Sequence, residues 1–117
     1  MGGTVIEREQ LTQGGTMKVV TYSRGSTPLS VDDQKHTLYA YAQAHGIDVV
    51  AAFEDTAPGG VDDPEPTQLA AALEVIRGGF AQSLLVCSRD RISEDPQRVI
   101  RVEALVREYN GQFLTVE

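Results

Sequence analysis

Residues 17–27 read MKVVTYSRGST, an apolar run that passes directly into a polar loop. The apolar half predicts a β-strand, which places the loop at the strand's carboxyl end. Open α/β sheets bind ligands at that end, because backbone N–H groups and helix N-termini converge there. The loop holds Arg24 and Ser26, one able to bind a phosphate through paired hydrogen bonds and the other able to attack it. Arginine and serine are also common turn residues, so the loop alone leaves both interpretations open.

Three helical patterns follow this strand. In the first, Ser30 is the predicted N-cap, Asp33 completes a capping-box arrangement, and Gly46 ends the helix. The second helix is predicted to begin at a Thr67 cap and the third near Pro96. All three carry apolar residues at helical spacing, which predicts amphipathic helices packed on a sheet.

Three further strands are predicted at residues 47–53, 82–88 and 112–116. The run at 47–53 predicts a buried strand, and the continuous apolar run at 82–88 is typical of a strand covered on both faces. The order βαβαβαβ with right-handed crossovers predicts an α/β fold, a four-stranded mainly parallel sheet with helices on both faces. The loops after the first three strands then share one edge and form a common cleft.

Length and composition indicate one domain. The chain has 117 residues, 41% of them hydrophobic, and a single cysteine, Cys87, in an apolar run. We expect a flexible N-terminal arm at residues 1–16 and one α/β domain at residues 17–117. Without a disulfide framework, a signal peptide or an apolar run of membrane-spanning length, a cytoplasmic protein is expected.

The net charge is −7, with a pI near 4.7. Such a charge repels nucleic acid, so DNA is expected to bind only weakly or through a partner. The loop from Glu54 to Pro66 is rich in carboxylates, but it lacks the alternating ligands and glycine of a calcium loop. We therefore interpret it as a solvated loop, and we expect neither a metal site nor a cofactor.

Several motifs together resemble the catalytic domain of the serine recombinases, the resolvase/invertase family. In chain order they are YSRGST at 22–27, Gln34 in the first helix, Asp55 followed by Gly60, IRGG at 76–79, and DRIS at 90–93. The resemblance extends from about Lys18 to Glu117, with the motifs in the family's order and at similar spacing. An Asp-Arg element after the third strand is what makes the match specific, because the Arg-x-Ser element alone is common.

The resemblance implies roles for individual residues. Ser26 would be the nucleophile that attacks a DNA phosphodiester and forms a 5′-phosphoserine, and Arg24 would contact the phosphate or activate the hydroxyl. Arg91 would serve the scissile phosphate, while Asp90 would orient groups or receive a proton. Gln34 lies near a family glutamine and is a further phosphate- or DNA-binding candidate. Family subunits exchange DNA ends within a tetramer, so a homo-oligomer or a protein partner is implied.

Two positions depart from the family pattern. The family has an arginine before the proline that opens the second helix, whereas residues 62–67 read DDPEPT. The family also continues its third motif to a second arginine, where this chain has Glu94. If each arginine stabilises the transition state by about 3 to 4 kcal/mol, losing both slows cleavage by about four to six powers of ten.

The sequence ends at Glu117 without a counterpart of the family's long dimerisation helix or a DNA-binding module. Site targeting is therefore expected to need another chain or a longer parent. Three hypotheses follow. The chain is a catalytically impaired resolvase-like domain that acts through protein contacts, an active recombinase core that works with a DNA-binding partner, or a small phosphate-binding module.

Overall fold

The computed structural model describes residues 16–56 and 66–117. The elements in chain order are β1 Lys18–Gly25, α1 Pro28–His45, β2 Asp48–Thr56, α2 Thr67–Arg77, β3 Ser83–Val86, a 3-10 turn Arg89–Arg91, α3 Pro96–Glu108 and β4 Gln112–Thr115. The four strands form one parallel sheet in the order β2-β1-β3-β4. The predicted α/β fold, with its four-stranded parallel sheet, is confirmed. The predicted arm at 1–16 lies outside the described residues except for Thr16.

The sheet is covered on both faces. On one face, Val20, Tyr22 and Leu84 pack against buried side chains of α2 and α3. On the other face, Val19 and Leu85 pack against Leu38 of α1. Because β3 is enclosed from both sides, all four of its residues are buried. No helix within the described ranges is long and apolar enough to cross a membrane.

Helix α1 begins three residues earlier than the sequence predicted. Thr27 is its N-cap, and the Thr27 Oγ1 accepts a hydrogen bond from the Ser30 N–H at 3.1 Å. Pro28 then occupies the first helical position, where its fixed φ suits a helix and its missing N–H costs nothing. The prediction of Ser30 as the N-cap was therefore wrong, whereas the predicted end at Gly46 is confirmed by a left-handed φ of 65°.

Helix α2 is capped from a distance. Its N-cap is Pro66, which offers no side-chain acceptor, and Thr67 is the first helical residue and not the predicted cap. The Asp55 Oδ2, from the end of β2, instead accepts a hydrogen bond from the Leu69 N–H at 3.3 Å. The same oxygen accepts from the Tyr22 hydroxyl at 2.7 Å. One carboxylate thus joins β1, β2 and the start of α2.

Strand β2 differs from the predicted buried strand. It is three residues longer at its carboxyl end and pairs with β1 at the edge of the sheet. Its side chains alternate between exposed and half-buried, because an edge strand is not enclosed by neighbours on both sides. Glu54 and Asp55 therefore belong to this strand and not to the predicted acidic loop. The remainder of that loop, residues 57–65, lies outside the described residues.

Candidate active site

Arg24 joins the two loops that the sequence placed at one edge. It lies near the carboxyl end of β1 and is 7% exposed. Its Nε donates a hydrogen bond to the Arg91 carbonyl oxygen at 3.2 Å, and its Nη2 donates to the Asp90 carbonyl oxygen at 3.1 Å. Arg24 therefore contacts two residues that lie 66 and 67 positions later in the sequence. This contact is expected because β1 and β3 are parallel neighbours, so the loops that follow them lie at the same edge.

Gln34 reaches the same point from helix α1. Its side chain is 5% exposed. The Oε1 accepts from the Arg24 N–H at 3.1 Å, and the Nε2 donates to the Arg24 carbonyl at 2.8 Å and to the Ser30 carbonyl at 3.2 Å. These bonds hold the β1 backbone, and binding of DNA or phosphate by Gln34 stays a prediction.

Ser26 lies between the last residue of β1 and the cap of α1, and it is exposed. The chain turns tightly here. A Cβ on Gly25 would lie 2.6 Å from the Ser30 Oγ and 2.9 Å from the Ser30 Cβ, so a larger residue here would force the Ser30 side chain or the backbone to move. The hydroxyl of Ser26 is thus presented to solvent by a short, sterically defined connection.

The Asp90 carboxylate is held by a residue that the sequence did not single out. The Ser88 hydroxyl donates a hydrogen bond to the Asp90 Oδ1. The turn itself is closed by backbone bonds from Arg91 N to the Ser88 carbonyl and from Ile92 N to the Arg89 carbonyl, each 3.1 Å. Ile92 is buried and anchors the turn in the core. A serine two residues before an aspartate at a strand end is the signal that could have identified Ser88.

A cleft of about 410 Å³ opens beside this turn, between α1 and the end of β3. Its walls combine Arg91 with hydroxyl groups and two carboxylates. The hydroxyl-bearing residues are Thr27, Ser30, Thr37 and Ser88, and the acidic ones are Asp33 and Glu117. Within the described part of the chain, Arg91 is the one cation among the lining residues.

Cys87 also lines this cleft but is buried and not a candidate nucleophile. Burial raises the pKa of its thiol, against a smaller opposing effect of the nearby Arg91 charge. The Sγ lies 3.6 Å from the Gln34 carbonyl oxygen. A protonated thiol in this setting acts as a small apolar group.

Other arginines near this edge are engaged elsewhere. Arg89 pairs with Glu103 through two contacts of 2.8 and 2.9 Å. Arg98 lines a separate recess with Pro66 and Thr67. Glu94, at the position where the resemblance implies an arginine, is exposed and lines a recess with Asp90. The other departure from the family pattern falls at residues 62–67, and of these, residues 62–65 lie outside the described residues.

Metal ligands do not cluster here. Across residues 16–56 and 66–117, no group of three or more histidine, cysteine, aspartate or glutamate side chains could hold a metal ion.

The sheet is parallel with the order β2-β1-β3-β4, and Arg24 of the Arg-x-Ser loop is hydrogen-bonded to the Asp-Arg turn. Together these features define a resolvase-type α/β domain. The family described as "Resolvase, N terminal domain" matches residues 19–117. The chain belongs to this family, as the motifs at 22–27 and 90–93 predicted, and it is a resolvase-like serine recombinase domain.

Solved structures share this fold. The N-terminal catalytic domain of TP901-1 integrase is 24% identical, with a TM-score of 0.75 over 85% of this chain and 77% of that chain. A resolvase family site-specific recombinase from Streptococcus pneumoniae is 23% identical, with a TM-score of 0.75 over 86% of this chain and 72% of that one. The C-terminal catalytic domain of ISC1926 TnpA, an IS607-like serine recombinase, is 21% identical, with a TM-score of 0.76 over 86% and 70%. No curated protein sequence matches this chain.

Proposed function

We propose that this chain is a resolvase-like domain with impaired DNA-cleavage chemistry that acts through protein contacts in DNA recombination. The observation that carries this proposal is the charge of the cleft that Thr27, the residue after Ser26, lines. Arg91 is the one cation that lines the described walls of the cleft, and Asp33 and Glu117 line it too. A transition state with anionic equatorial oxygens needs a net positive surrounding, which this set of charges does not provide.

The engagement of Arg24 supports the same proposal. Two nitrogens of its guanidinium group, Nε and Nη2, donate hydrogen bonds to the carbonyl oxygens of Arg91 and Asp90. A guanidinium that binds a phosphate with two parallel bonds uses such a pair of donors. In this arrangement these two donors are occupied, so Arg24 contributes its positive charge to the site and not a bidentate contact to a phosphate through Nε and Nη2.

Exposed apolar side chains support action through a protein partner. Leu29 lines the cleft and is 70% exposed, and Ile100 lines the recess that holds Glu94 and is 50% exposed. Contiguous exposed apolar area marks surfaces that a second protein covers, and these two side chains would contribute to such a surface. We infer a homo-oligomer or a partner protein, with DNA bound weakly or through that partner.

An active recombinase core is the second candidate. It is favoured by the retained juxtaposition of Arg24 with Asp90 and Arg91, next to the exposed Ser26. In this alternative, Ser26 attacks the DNA phosphodiester and becomes a 5′-phosphoserine, the DNA 3′-oxygen leaves with a proton, and Arg91 stabilises the charged phosphoryl group.

Covalent capture separates the two candidates. The full chain is incubated with supercoiled DNA, with and without a related full-length recombinase as partner, and denaturing gels report protein–DNA adducts. The proposal predicts no adduct above the level of Ser26→Ala. Thr37→Ala, which removes a hydroxyl that lines the cleft, is the matched control. An adduct that forms within minutes, is lost in Ser26→Ala and persists in Thr37→Ala would establish the active core instead.

A phosphate-binding module is the third candidate, and it is favoured by the hydroxyl-bearing residues that line the cleft together with Arg91. Titration of inorganic phosphate, followed through the backbone NMR signals of residues 88–92, tests it. Saturable shifts in the wild type that vanish in Arg91→Met would support this module, and the absence of saturation would exclude it.

A further inference from the structure

Strand β1 stops pairing with β3 several residues before β1 ends. On one side, β1 pairs with β2 along its whole length, including Arg24 with Asp55. On the other side, its pairing with β3 covers Val19 to Thr21 and goes no further. The residues of β1 that lead to Ser26 therefore extend past the neighbouring strand.

Gln34 takes the place of that strand at Arg24. One amide group accepts from the Arg24 N–H at 3.1 Å and donates to the Arg24 carbonyl at 2.8 Å. These are the two bonds that a neighbouring parallel strand would make to one residue. Because the Gln34 side chain is 5% exposed, water does not compete for these groups as it would on a surface.

The side chain of Arg24 connects its own backbone to the 3-10 turn at Arg89–Arg91. Its Nε and Nη2 bind the carbonyl oxygens of Arg91 and Asp90 at 3.2 and 3.1 Å. The Arg91 Nη1 in turn lies 3.5 Å from the Arg24 carbonyl oxygen, which is the group that Gln34 also binds. A continuous series of hydrogen bonds thus links α1, the end of β1 and the 3-10 turn.

We propose that Gln34 is a positioning residue, which fixes the Arg24 backbone and, through the Arg24 guanidinium, the placement of Asp90 and Arg91 relative to Ser26. It acts without contact to the reacting phosphate. The placement claim stands on these contacts alone, whereas its effect on chemistry rests on the proposed function of Ser26.

Amide hydrogen exchange of the full chain tests the placement claim. Gln34→Met keeps the length of the side chain but removes its donors and its acceptor. We expect exchange at the Arg24, Arg91 and Ile92 amides to rise about tenfold or more beyond any change in global stability. Gln34→Glu keeps an oxygen for the Arg24 N–H, so it should protect that amide and still loosen the turn.

Two controls on the same helix separate placement from general destabilisation. Gln43→Met makes the same substitution at an exposed position and should leave exchange at Arg91 and Ile92 unchanged. Val31→Ala removes buried apolar contacts of α1 and should lower global stability without a local effect on the turn. Unchanged exchange at Arg91 and Ile92 in Gln34→Met, or an equal local increase in Val31→Ala at matched stability, would overturn the proposal.

The adduct assay tests the consequence for chemistry. If the wild-type chain or a charge-restored Glu94→Arg chain forms an adduct, Gln34→Met should slow its formation about 100-fold, since a shift of about 1 Å costs that much in rate. Retention of DNA on filters should change less than about twofold, because the electrostatic contacts are unaltered. An unchanged adduct rate would refute the positioning role in chemistry. Absence of any adduct in both chains would instead count against Ser26 chemistry, and the exchange data would still decide the placement claim.

Discussion

Replacement of Asp55 by alanine should destabilise the domain far more than replacement of an exposed aspartate on the same edge strand. The Asp55 carboxylate accepts from the fully buried Tyr22 hydroxyl at 2.7 Å and from the Leu69 N–H at 3.3 Å. Losing the acceptor of a buried hydroxyl costs about 1–3 kcal/mol, and losing a helix N-terminal acceptor costs about 1 kcal/mol. The expected loss in the free energy of unfolding is therefore about 2–4 kcal/mol, or roughly 8–16 °C in Tm for a domain of this size.

Urea denaturation of five chains measures this coupling. Asp55→Ala, Tyr22→Phe and the double variant are compared with the wild type, and Asp48→Ala, an exposed aspartate of the same strand, is the matched control. Tyr22→Phe removes the hydroxyl, so the double variant should lose about 1 kcal/mol less than the sum of the single variants. Strict additivity, or an Asp55→Ala chain within about 0.5 kcal/mol of the control, would refute the bridge between β1, β2 and α2.

Three further outcomes are expected. Gly25→Ala should lower the free energy of unfolding by about 1–3 kcal/mol in urea melts, because the new Cβ would meet the Ser30 Oγ at 2.6 Å. Gly111→Ala should cost more in the same assay, since its Cβ would lie 2.2 Å from the Gln82 carbonyl oxygen, a backbone atom that cannot rotate away; equal losses would contradict this. Cys87 should react with a disulfide reagent more slowly than a free cysteine at pH 8, because a raised thiol pKa lowers the thiolate fraction there. Its rate should approach the free value only in denaturant, and fast reaction of the folded chain would contradict burial.

Local signals predicted most of the fold. Gly46 ended α1 as expected because a left-handed residue there suits glycine, and the apolar run around Leu84 formed a buried strand. The start of α1 was mispredicted because two cap signals compete within four residues, and the Thr27-Pro28 pair prevailed over Ser30. The position of a strand within the sheet is not a local property. An apolar run at 47–53 therefore gave no sign that β2 lies at the edge.

The candidate site was predictable to a similar degree. Parallel topology alone brings the loops after β1 and β3 together, so the contact between Arg24 and the turn at 89–91 follows from the element order. The role of Gln34 toward the Arg24 backbone did not follow, because it depends on where β3 stops pairing and on how α1 crosses the sheet. Ser88 was missed because one hydroxyl in a loop carries no periodic signal.

Restoring one positive charge tests the central claim most directly. Glu94 is exposed beside Asp90, so Glu94→Arg returns an arginine to the position that the family pattern assigns it. One donor to a transition-state oxygen changes rates by about 100- to 1,000-fold, so Glu94→Arg should raise the rate at which the Ser26-dependent DNA adduct forms by that order. Glu108→Arg, the same charge change at an exposed site on α3, should have no such effect. A rapid Ser26-dependent adduct in the wild-type chain, with no further gain in Glu94→Arg, would contradict the account.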